Sequence, residues 1–126
     1  MTTAEHILVG IAALLVTAPY WVSAGLKTLW FRATIAEMQA LGVEPARPIA
    51  QATILVQAFG SAALVLNIFP LAGVLALAAF TVAATCVGHA FWRLPAGERL
   101  NGANGFLANV GLVGGLICVA LLRYLP

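Results

Sequence analysis

The sequence predicts an all-α integral membrane protein: an up-down-up-down four-helix bundle with a short interfacial helix between helices 1 and 2. Three observations predict it. Of 126 residues, 63% are hydrophobic and 8% charged, and the mean hydropathy is +1.03. A soluble domain of this size leaves too much surface in water to hide that apolar area, a penalty that lipid removes. The charged residues also stay out of the middle of four long apolar runs. Short links between those runs make sequential helices antiparallel neighbours.

The first run, Ile7 to Leu26, carries no charge and is long enough to cross ~30 Å of hydrocarbon at ~1.5 Å per residue; with its flank it makes a span over about 7–30. Pro19 removes a donor from the ladder inside it, so a kink is expected near Leu15–Pro19. Tyr20, Ser23 and Lys27 share one face, and Trp30 and Phe31 follow at head-group level. Lys27 reads either as a snorkelling side chain or as a cation facing the bundle interior.

Between residues 32 and 48 the chain is polar. Thr34-x-x-Glu37 has the form of a capping box, Ile35, Met38 and Leu41 recur on one side, and Gly42 suits the residue just past a helix end. This is the short helix expected to lie on the membrane surface. The second span covers 49–69, with Thr53, Gln57 and Ser61 in one stripe. Gln57 sits roughly 12 Å deep by helical rise, and an amide at that depth needs a partner, most simply on a neighbouring helix.

Asn67-Ile68-Phe69-Pro70 makes a tight turn, with Pro70 suited to the first position of the next helix. The third span, 71–91, repeats the stripe with Thr81, Thr85 and His89. A polar turn holding Arg93, Pro95, Gly97, Glu98 and Arg99 leads to the fourth span, 104–123. There Gly111 and Gly115 are spaced for close helix packing, within the chain or between copies in a homo-oligomer.

Several function classes fall away. A net charge of +2, thinly scattered, gives no footing for nucleic acid. Cys86 and Cys118 lie in separate apolar runs without CxxC spacing and read as packed thiols. The N-terminus lacks the basic stretch of a secretory signal. No metal site is expected, since the polar layer offers neither carboxylates nor thiolates. The other histidine, His6, stands roughly 30 Å from His89 by helical rise, which excludes a bis-histidine haem within one chain. With no Asp in the chain, a Ser-His-Asp arrangement is impossible. A carrier is also poorly supported, for no internal repeat or buried acid is visible.

Depths along the four spans point to one polar layer. Lys27, Gln57, His89 and Asn109 all lie toward the side bearing the basic loops, with Tyr20, Thr85 and Ser61 deeper. Such a layer is either a ligand pocket or a hydrogen-bonded network that fixes helix register. Arg32, Arg47, Arg93 and Arg99, with Lys27, crowd one side of the membrane, against Arg123 and the terminal amine on the other. The positive-inside rule then places both termini outside the cytoplasm.

Pro19 to Lys27 resembles the small-residue, glycine and lysine signature that ends the first helix of the DoxX family. Phe31 to Gly42 is similar to the stretch that follows, and Val56 to Ser61 to the second-helix motif, where many members carry Glu in place of Gln57. Phe80 to Thr85 with His89, Phe91-Trp92, Glu98-Arg99, Asn104, Phe106-Leu107 and Gly111 to Gly115 extend the resemblance over nearly the whole chain; some relatives have Glu-His at Ala108-Asn109. The resemblance implies a small inner-membrane protein that supports a redox enzyme, with a quinone as the noncovalent cofactor. Lys27, Gln57, His89 or Tyr20 would donate to its carbonyl, with Trp21, Phe91 and Trp92 flanking the ring. The alternative is a non-catalytic scaffold that binds another membrane protein through its helices.

Overall fold

The structure, a computed structural model, describes residues 1–88 and 91–125. Five α-helices make up nearly all of it: α1 (Thr3–Leu29), α2 (Phe31–Ala40), α3 (Ala46–Val65), α4 (Pro70–Gly88) and α5 (Arg99–Arg123). Two short 3-10 turns, Phe91–Arg93 and Ala96–Glu98, join the last pair, and no strand occurs among the described residues. Four of the helices, all but α2, are long and apolar enough to cross a membrane. They form a ring in which α1 and α4 each pack against both α3 and α5.

Local chemistry accounts for the helix limits. α1 begins before the first apolar residue because Thr2 and Glu5 form a reciprocal capping box, the Thr2 hydroxyl accepting from Glu5 N at 3.1 Å and Thr2 N donating to Glu5 Oε2 at 3.0 Å. It runs through Pro19 without a break. The expected capping box at Thr34 is absent. α2 starts three residues earlier, at Phe31, so Thr34 lies inside the helix and its hydroxyl donates back to Trp30 O at 3.1 Å. Gly42 does close α2, with φ of 76°, while Val43 N donates to Met38 O at 2.9 Å.

α3 is shifted toward the N-terminus relative to the 49–69 span. It starts at Ala46, whose N–H donates to Glu44 Oε2 at 3.2 Å, and it tolerates Pro48 because the first turn needs no internal donors. It stops at Val65, since Asn67 turns to φ of 57° and Ile68 N reaches back to Ala63 O at 3.0 Å. Pro70 opens α4 as expected, and α5 starts at Arg99 rather than Asn104.

The side chains are arranged for lipid. The interior is made of Ala13, Tyr20, Leu64, Val74, Leu77, Leu116, Val119 and Ala120, whereas bulky residues such as Leu15 (69% exposed) and Phe59 (70%) face outward. α3 and α4 meet most closely where Gly60 crosses Gly73: a Cβ on Gly73 would stand 2.8 Å from Gly60 O and 2.7 Å from Ala63 Cβ. Gly115 packs against Val16, where a Cβ would come within 3.2 Å of Cγ2, while Gly111 has open space around it. At this end of the bundle Arg123 donates to Leu64 O at 3.1 Å and Val65 O at 2.7 Å, and Tyr124 OH accepts from Leu71 N at 3.2 Å. α5 thereby caps the end of α3 and the start of α4.

Candidate functional site

At the opposite end, where the basic loops lie, polar side chains from four helices turn inward. Tyr20, Ser23 and Lys27 come from α1, Gln57 from α3, Thr81 from α4 and Asn109 from α5, and together they line a cavity of about 250 Å³. Phe80 completes one wall. The Lys27 ammonium donates to Gln57 Oε1 at 3.3 Å and lies 5.5 Å from the centre of the Phe80 ring. Thr81 donates its own hydroxyl to Leu77 O at 2.7 Å, so in the Tyr20–Thr81 bond the phenol is the donor. That bond joins α1 to α4 across the ring of helices.

Asn109 Nδ2 donates to Thr85 Oγ1 at 3.0 Å. Thr85 itself lies in the wall of a smaller cavity of about 110 Å³ that shares Thr81 and Asn109 with the first, and it is bonded to Asn109. Ser61 is buried but donates to Gln57 O of its own helix at 2.6 Å. His89 lies outside the described residues. The structure thus brings Tyr20, Lys27, Gln57 and Asn109 together and sets Thr85 one step behind.

Lysine has only donors, so its contact fixes the Gln57 amide with the oxygen toward Lys27 and the NH2 free of any protein acceptor among the described residues. Gln57 is 3% exposed, and its environment is the cavity. Lys27 has further N–H groups, Ser23 a hydroxyl, and no carboxylate stands in the described wall. The cavity carries the Lys27 ammonium and offers donors from Lys27, Gln57 and Ser23 beside acceptors such as Asn109 Oδ1. It suits a ligand that accepts hydrogen bonds, a carbonyl or an anion.

The aromatic residues expected to flank such a ligand are elsewhere. Trp21 is 46% exposed and its indole donates to Leu14 O at 3.3 Å. One residue past inward-facing Tyr20, it is turned by ~100° about the helix, which carries it out of the bundle. Phe91 and Trp92 cluster with Phe106 at ring-centre distances of 5.4 to 5.9 Å, away from the cavity lining. Phe80 takes that place. It was legible as the residue before Thr81, but nothing in the sequence aimed it at Lys27.

A larger hollow of about 550 Å³ runs along the outside of α3 and α4 and is lined by apolar residues such as Phe59 and Phe69. Among the described residues it holds no polar side chain to orient a ligand. Among the described residues, no group of three His, Cys, Asp or Glu stands close enough to hold a metal ion.

Fold and cavity define a class: a small four-helix membrane protein with an inward polar site near one rim. Comparison with protein families makes it specific. The DoxX profile matches residues 7–90, and the chain belongs to the DoxX family. The match ends before α5, so Asn109 and the glycines of the last helix fall outside it. Comparison with curated proteins and with solved structures found no match.

Proposed function

We propose that this chain is an accessory membrane subunit of a quinone-linked redox system, and that its inner cavity holds the carbonyl-bearing ring. One observation carries the reading: the side chain of Gln57, a residue 3% exposed, lines a cavity beside the Lys27 ammonium, and its NH2 has no protein acceptor among the described residues. A quinone carbonyl is a pure acceptor and needs such donors to leave lipid. The chain supplies binding and orientation, and a partner enzyme supplies the electrons. In this reading the protein sits in the cytoplasmic membrane with the cavity toward the arginine-rich side and both termini outside.

The test is to purify the protein with native lipid, extract it and measure quinone. Stoichiometric quinone in the wild type, lost in Lys27→Met and Gln57→Leu, is the expected result. Absence of quinone from the wild type, together with failure to bind an added tailless benzoquinone, overturns the reading.

A second reading has its own observation. Gly111 sits on α5 with nothing within 4 Å of where a Cβ would be, a bare stretch of backbone facing lipid. A scaffold that docks another membrane helix, or a second copy, would use it. Gly111→Leu would then abolish co-purification of the partner or the dimer while leaving the fold intact; an unchanged elution profile and partner content sinks this reading.

A further inference from the structure

The polar cavity has a neighbour. A second space of about 400 Å³ adjoins it, and Lys27, Phe80 and Ala84 stand in the walls of both. Its other walls come from the end of α2 (Met38) and the residue that follows it (Leu41), from the start of α3 (Ile49) and from α4 (Ala83 and Val87). The character changes across the shared wall. On one side Tyr20, Gln57, Thr81 and Asn109 offer hydrogen bonds; on the other aliphatic side chains predominate, joined by Thr34, Thr53 and exposed Glu37.

Size adds to the contrast. Sites that enclose a whole small ligand run about 300–1,000 Å³, and the inner chamber at about 250 Å³ falls below that range while the two joined lie within it. The inner chamber fits a ring head alone. Resting on the ligand reading above, we propose that the two chambers form one site for an amphiphile, with the carbonyl-bearing ring beside Lys27 and Gln57 and an aliphatic tail passing Phe80 into the chamber under α2. α2 is then part of the binding site, and Met38 and Ala83 line the path of the tail.

The experiment uses two probes, a tailless methoxylated benzoquinone and the same ring with a decyl tail, titrated calorimetrically into the full chain in mixed micelles. Ala83→Phe and Met38→Trp fill the outer chamber from different helices and leave the polar wall untouched. Each is expected to weaken the decyl probe by at least about tenfold while changing the tailless probe less than about twofold. Ala76→Phe, in the apolar groove outside α3 and α4, is expected to change neither. Equal binding of the decyl probe by wild type and both filled variants overturns the proposal, because the tail then leaves by another route. Loss of the tailless ring in both variants overturns it as well, since the outer wall would be supporting the ring itself. No binding of the tailless ring to wild type is a different failure: it removes the quinone reading on which the proposal rests.

Discussion

The two ends of this bundle use polar side chains in opposite ways. At the end holding the chain termini, Arg123 and Tyr124 spend their hydrogen-bonding capacity on backbone groups of α3 and α4, and Gly60 and Gly73 bring those helices into backbone contact. At the end with the basic loops, Lys27 meets Gln57, Tyr20 meets Thr81, and Asn109 meets Thr85 side chain to side chain, beside a cavity. Closed helix ends with satisfied carbonyls contribute stability. Polar groups that pair with one another around a cavity, and keep donors without an acceptor among the described residues, contribute less to stability.

The contrast can be broken from either side. The largest effect is expected from Gly73→Val, whose side chain would collide with Gly60 O and Ala63 Cβ; overpacking at a backbone contact should cost about 3 kcal/mol, read as a lower denaturation midpoint in mixed micelles. Arg123→Met comes next. It leaves the Leu64 and Val65 carbonyls without their donor, and a loss of about 2 kcal/mol in the same assay is expected.

Gln57→Leu should move stability least, by less than about 1 kcal/mol, because Lys27 keeps the Phe80 ring and shares a cavity wall with Glu37. The same substitution should nevertheless weaken quinone binding by at least about tenfold. If Gln57→Leu destabilised the chain as much as Arg123→Met, the cavity end would be a packing network and the comparison between the ends would collapse.

What the sequence made legible follows from the range of the interactions involved. The four apolar helices, the Gly42 helix end and the start of α4 at Pro70 depend on residues within a turn of one another. The shared depth of Lys27, Gln57 and Asn109 could also be counted out along each span, because helical rise is uniform. Rotation was harder. Trp21 looked like part of the site until Tyr20 was seen to point inward, and the Gly60–Gly73 contact joins two helices whose relative orientation no local pattern encodes. Thr34 had the right spacing for a cap, yet the backbone had already become helical at Phe31. Neither the Phe80 wall nor the outer chamber could be read in advance, since the first depends on how α4 is rotated toward α1 and the second on the way α2 folds back over the bundle.

The meeting of Gly60 with Gly73 has one more consequence. With the two backbones this close, and the Leu77 side chain and Ala63 Cβ filling what space remains, α3 and α4 are joined into a single stiff hairpin. α1 packs along α3 as extensively as α4 does, so the loosely held member of the ring is α5. α5 has the smallest share of its surface covered by neighbours of the four, which makes it the natural door leaf.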